Sequence, residues 1–343
     1  MSKGLKYSFI FLIVIIVLFI LNLFFGSVFI PAEAVIDILA GKEAEKRAWT
    51  YIVLESRLPQ AITALFTGSA IAISGLLLQT SFRNPLADSG ILGISAGANL
   101  GVAIIMLLLG SSAGSISSFD LSYSMTIVLG AFLGASLILG IIMGFASIVK
   151  NNLMLLIIGI MVGYLTSSII SILKFWGDSS DVFSYMVWGM GTFGAISIEQ
   201  LPFYCIIITI GLLISILLIK PLNALLLGER YAANLGVNIR LVRFILLFCA
   251  GLITAITCAY CGPIGFIGLA VPHIARLVLG TSNHKSLVPI TILIGAAIAL
   301  LCNLICILPG SQGVLPLNAV TAVFGAPVII YIIINQKRIQ YFN

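Results

Sequence analysis

His273 and Arg276 stand three residues apart, so a helix would place both on one face. They close the run GPIGFIGLAVPHIAR at 262–276, where Gly262, Pro263, Gly265 and Pro272 interrupt an otherwise apolar stretch. An imidazole here could ligate a metal. Cys258 and Cys261, with CxxC spacing, lie just ahead of it, the second of them twelve residues before His273. The structural alternative is a histidine that satisfies a broken helix and two cysteines that act as small apolar residues in packed helices. No second ligand pair accompanies the CxxC, and no metal is assigned to the chain.

Other chemistries find no residues to carry them. There is no GxxxxGK[ST] phosphate loop, and with only His273 and His284 no nucleophile–histidine arrangement can be argued. A proton- or sodium-coupled carrier would commonly hold a carboxylate in mid-span, whereas Asp88, Asp120 and Glu199 fall at helix ends. Transport powered from another subunit fits this inventory. A polar segment holds Leu227, Gly228, Glu229, Arg230, Ala232, Leu235, Gly236 and Val237. Glu229 near its start and Gly236 near its end have the spacing of a short capped helix. This segment is either an interfacial loop or a docking helix for a cytoplasmic partner.

The elements that position these residues are membrane helices. Of 343 residues 61% are hydrophobic and 8% charged, with a mean hydropathy of +1.22, against about 25% charged in soluble domains. The apolar runs predict an all-α polytopic membrane protein with ten spans, at 7–30, 58–81, 92–110, 122–148, 153–174, 199–219, 241–261, 266–279, 286–307 and 317–335. No connection is long enough for a soluble domain, so 1–343 reads as one transmembrane domain. The first run exceeds a signal-peptide core of about 7–15 residues and is expected to remain as a helix, with both termini cytoplasmic. In that orientation twelve of the seventeen Lys and Arg are cytoplasmic, against two of the eleven acids, Asp88 and Glu229. The basic balance thus reports membrane orientation and implies no nucleic-acid binding.

Two interruptions look alike. Asn84, Pro85 and the Gly-rich start of the third span lie on the cytoplasmic side, and 261–272 begins on the outer side, as an inverted repeat would place them. Irregular backbone at membrane depth must be wrapped in protein or line a watery route, which marks both as pathway candidates. Gly130 with Gly134, Gly140 with Gly144, and Gly159 with Gly163 are expected helix-packing pairs. Trp176, Phe183, Tyr185 and Trp188 read as an interfacial aromatic belt.

Four segments carry a family resemblance: Arg57-Leu58-Pro59-Gln60 with Arg83-Asn84-Pro85-Leu86-Ala87, then Leu227-Gly228-Glu229 with Leu235-Gly236-Val237, then 262–276, and last Leu315-Pro316 with Gly325-Ala326-Pro327. In this order, from Arg57 to Tyr331, the chain resembles the permease subunits of ABC importers for ferric siderophores, haem and vitamin B12. The resemblance implies a vitamin B12 importer permease-like fold that pairs as a homodimer in the bacterial cytoplasmic (inner) membrane. Two cytoplasmic ATP-binding subunits, which hold the ATP and Mg, and an extracytoplasmic binding protein would be its partners. The permease itself would be no enzyme and would bind no cofactor. By the same resemblance 228–239 is the ATPase-coupling segment and Arg57 a docking point for the binding protein. Gln60 departs from the family's frequent second arginine, and the outer loop 309–313 lacks a basic residue, so Lys42, Lys46 or Arg47 are further docking candidates. An ATP-independent secondary transporter is the competing expectation.

Overall fold

The computed structural model describes residues 3–42, 45–109, 123–149, 152–307 and 313–334. Within them the chain is all-helical. Helix α1 (Lys3–Phe24) leads through α2 (Ala32–Leu39) to α3 (Arg47–Tyr51), which continues through a π-helical stretch (Ile52–Arg57) into α4 (Leu58–Phe82). Next come α5 (Ile94–Ala103) with a π-helical extension (Ile104–Leu109), α6 (Tyr123–Ile148), α7 (Asn152–Trp176) and α8 (Ser179–Gly189). The remainder is α9 (Leu201–Leu217), α10 (Ile219–Leu226), α11 (Glu229–Asn234), α12 (Ile239–Cys261), α13 (Ile267–Leu279), α14 (His284–Ile307) and α15 (Leu317–Ile334). Lys150, Lys337, Arg338, Asp120 and the outer-loop residues 309–312 lie outside the described residues.

Among the described residues six helices are long and apolar enough to cross a membrane, or seven when α9 and α10, bent by 50° at their junction, count as one span. Three shorter apolar helices accompany them, at 94–108, 267–279 and 317–331. The sequence left α2, α3 and α8 as connections, because each is too short for a span-length apolar pattern. It also missed the break at Leu218 that turns α10 away from α9.

Helix α4 forms the centre, buried almost continuously from Thr67 to Phe82, with α14, α12, α13 and α9 packed around it. A helix at the middle of a membrane bundle needs small residues, since van der Waals packing replaces the hydrophobic drive between helices. Gly68 of α4 meets the backbone of Gly295 on α14, and Gly75 meets the carbonyl of Gly268 on α13. Gly97 and Gly101 of α5 likewise lie against Gly134 and Gly130 of α6. Gly159 of α7 approaches the backbone of Ile91 and Leu92. The expectation for Gly140 and Gly144 is corrected: a Cβ at either would meet nothing within 4 Å, so this part of α6 presents an open face.

Polar side chains stitch the bundle. Asn22 of α1 donates to the Leu300 carbonyl, Asn303 of α14 donates to Asn22, and Gln60 of α4 donates to Asn303, each at 2.8–3.1 Å. In an apolar surrounding each such group must find a partner, and together they link three helices in one register.

Candidate functional site

The interrupted segments meet each other. Helix α4 ends at Arg83, a left-handed residue with φ 47°, and the Asn84 N–H bonds back to the Gln79 carbonyl. The Asn84 side chain accepts from the Leu86 N–H at 2.9 Å and turns the chain into the stretch 84–93. That stretch runs antiparallel to α13, with Pro85 beside His273 and Asp88 beside Gly268. His273 is 1% exposed, and its Nε2 lies 2.8 Å from the Pro85 carbonyl. A carbonyl can only accept, so the Nε2 atom carries the proton.

Arg276, one turn on, donates to the Gln79 side chain at 2.7 Å, while Gln79 donates to the Leu269 carbonyl at 3.2 Å. Pro272 has no N–H to offer the Gly268 carbonyl in its own helix, and Gly75 sits against that carbonyl. Irregular backbone is therefore enclosed by α4 and α13 rather than by lipid.

The other end of the same element is tied by a residue that no motif marks. Asn318, at the start of α15, donates to the carbonyls of Pro263 and Gly189 at 2.6 and 3.1 Å and accepts from the Gly265 N–H at 3.1 Å. Gly262 takes φ 74°, and a side chain there would press on the Trp188 carbonyl. One amide thus joins the GPIG turn, the end of α8 and α15. A lone asparagine at the start of an apolar helix carries no spacing pattern that would reveal this.

Cys258 lies 3.5 Å from Ser95 Oγ and Cys261 3.5 Å from Thr67 Oγ1, each buried against a different helix.

Arg57, the expected docking residue, is buried. It is 4% exposed, and its guanidinium donates to the carbonyls of Leu23 and Phe24 at 2.9 and 2.8 Å and to that of Val28. The last carbonyls of a helix lack helical partners, and those of α1 take this cation inward. The guanidinium is thus taken up by these carbonyls and fixes the loop 25–31.

At the opposite end, Gly228 (φ 104°) opens α11 and Gly236 (φ 83°) closes it, so the expected 228–239 segment is a six-residue helix plus a turn. Asn238 then caps α12 by accepting from the Leu241 N–H at 3.1 Å. Ala232 is fully buried, while Leu227, Tyr231 and Leu235 are 62%, 54% and 59% exposed. Arg230 is exposed, and Val237 packs on the core. Glu229 accepts from Arg243 of α12 at 2.6 Å, fastening α11 to a long membrane helix. The start of α14 is held to α10 by Asn223, whose Oδ1 lies 2.8 Å from the His284 N–H and 3.0 Å from its Nδ1. His284 Nε2 in turn lies 3.0 Å from Thr80 on α4.

The helical bundle with its buried breaks is that of a polytopic membrane protein, and the comparisons make it a transport component rather than an ATPase. The chain belongs to the FecCD transport family, whose model matches residues 13–335. It is 35% identical over 286 residues to the vitamin B12 import system permease protein BtuC of Citrobacter koseri, covering 83% of this chain and 84% of that one. It is 36% identical to BtuC of Klebsiella pneumoniae, covering 83% of each. A metal-chelate type ABC transporter solved in an inward-facing conformation superposes with a TM-score of 0.82 at 28% identity, over 96% of this chain and 99% of that one. PsaBC from Streptococcus pneumoniae, solved with a Fab, shares the fold alone, with a TM-score of 0.52 at 16% identity over 80% of this chain and 90% of that one. The protein is the permease of an ABC importer, a role that calls for an ATPase and a binding protein as partners.

Proposed function

We propose that the permease works as a homodimer in the bacterial cytoplasmic membrane and imports a bulky chelate: an iron siderophore, vitamin B12 or haem. The names of the relatives favour a corrinoid or metal chelate. The seven candidate spans and the three shorter apolar helices would give ten crossings in a single transmembrane domain, 1–343, with both termini cytoplasmic. The stretches around Asn84 and Gly262 would be the counterparts in an inverted repeat.

The observation that carries this reading is the exposed apolar face of Leu227, Tyr231 and Leu235 beside the fastened Glu229. Such a face on so short a helix suits docking into a groove of a cytoplasmic ATPase, which holds the ATP and Mg. Displacement of α11 would then pass through Arg243 to α12, and from its far end through Gly262, Pro263 and Gly265 to α13, which bears Pro272 and His273 and packs on Asn84 and Pro85. Arg57 would serve binding-protein docking through the loop that it holds. The chain itself would bind no cofactor.

The test is uptake into proteoliposomes that hold the permease and its ATPase, with the binding protein outside. Uptake of cobalamin or a ferric siderophore that requires ATP hydrolysis is expected. Gradient-driven uptake by the permease alone would overturn the reading in favour of a secondary transporter.

A further inference from the structure

A cavity of about 640 Å³ opens beside the cytoplasmic ends of α6 and α12. On α12 its wall includes Arg240, Arg243, Phe244 and Leu247, at the i, i+3, i+4, i+7 spacing that shares one face, with Ile239 and Leu241 beside them at the helix start. Phe248, the next residue of that stripe, is exposed and stacks on Phe244 with ring centroids 6.5 Å apart and planes within 2°. Basic groups therefore occupy the first turn, and an exposed apolar strip runs from them toward the middle of the membrane. On α6, Met143 and Ser147 line the cavity, and Gly140 and Gly144 lie on the same stripe with empty space before them.

We propose that this cavity holds the headgroup of an anionic phospholipid, its phosphate on Arg240 and Arg243 and an acyl chain along Phe244 and Phe248. Charge selects the occupant: two guanidinium groups face one carboxylate, Glu229. Arg240 is exposed and has no ion pair among the described residues, while Arg243 is bonded to Glu229 at 2.6 Å. Guanidinium groups bind phosphate through paired N–H donors, and basic pockets between helices at the cytoplasmic surface suit lipid headgroups. A soluble anion would account for the arginines but leave the Phe244–Phe248 strip and the open α6 glycines unused. Because Arg243 also holds Glu229, the lipid phosphate and α11 share one cation. Lipid composition would then adjust how firmly the cytoplasmic helix is fastened.

The test is native mass spectrometry of the full-length permease in detergent, titrated with phosphatidylglycerol or phosphatidylcholine of matched chains. Wild type should retain phosphatidylglycerol roughly tenfold more strongly, and the double variant R240Q/R243Q should lose that preference while R240K/R243K keeps part of it. Should the glutamine variant fail to fold, Phe244→Trp provides a second measurement. Its added fluorescence should be quenched more by brominated phosphatidylglycerol than by brominated phosphatidylcholine. Equal retention of the two lipids by wild type, an unchanged preference in a folded R240Q/R243Q, equal quenching, or displacement of the lipid by millimolar inorganic phosphate would each overturn the proposal.

Discussion

Arg57 and Asp88 are the two charged residues whose surroundings decide their roles. Arg57 satisfies the end of α1 and the loop after it, and Gly26 passes so close that a Cβ there would lie 2.6 Å from the arginine Nε. Arg57→Ala should cost about 2–3 kcal/mol, since it strips carbonyls of a charged donor, and would appear as a lower thermal midpoint in detergent. Arg57→Lys should recover only part of this, because one ammonium cannot span the same three carbonyls. Asp88 lies between helices; the residue keeps partial exposure, but its Oδ1 is fully covered and has no hydrogen-bond partner. Burial raises its carboxyl above the usual range, and the Ser89 and Gly90 backbone groups pull weakly the other way.

The sign follows from linkage. A raised folded-state value means that the native protein binds the proton more tightly than the unfolded chain. Asp88 therefore favours folding at acid pH, and this support falls as pH rises from the unfolded value through the folded one. Asp88→Asn should raise stability near neutral pH and flatten the pH dependence. Thermal midpoints of both proteins from pH 4 to 8 check this, and a midpoint for Asp88→Asn below that of wild type at pH 8 would contradict it.

At the scale of elements, close backbone approach sets the geometry. A Cβ on Gly75 would strike the Gly268 carbonyl, so Gly75→Ala should force α4 and α13 apart. Backbone on both sides leaves nothing flexible to yield, and a loss of about 2–4 kcal/mol is expected, in the range of core overpacking or above it. Gly144→Ala, on the open face of α6, should be near neutral, and the same melting assay separates the two.

Spans such as α6 and α14 were legible to within about two residues, because apolar runs of span length leave a strong signal. The two breaks were also legible, since proline and glycine there defy lipid. Their mutual contact through His273 and Pro85 was not, because nothing in the local sequence encodes pairing across 188 residues. Asn318, Asn223 and the Asn22–Asn303–Gln60 ladder were hidden for the same reason. Arg57 was located by motif, yet its direction depended on where α1 ends.

At the scale of the whole molecule, three fastened features lie along the bundle: the GPIG turn held by Asn318, the buried pair of interrupted segments, and α11 held by Glu229 to Arg243. In the proposed function, movement at α11 would pass through Arg243 to α12 and on to α13. The central claim is that the exposed Tyr231 and Leu235 seat the permease on its ATPase. The most direct test is affinity and ATPase stimulation measured between the ATPase subunit and full-length permease, wild type or Y231A/L235A. The account predicts that the variant folds and melts like wild type but binds at least about tenfold more weakly, as expected for loss of two large interfacial side chains, and no longer stimulates hydrolysis. Unchanged binding and stimulation in the folded variant would contradict it.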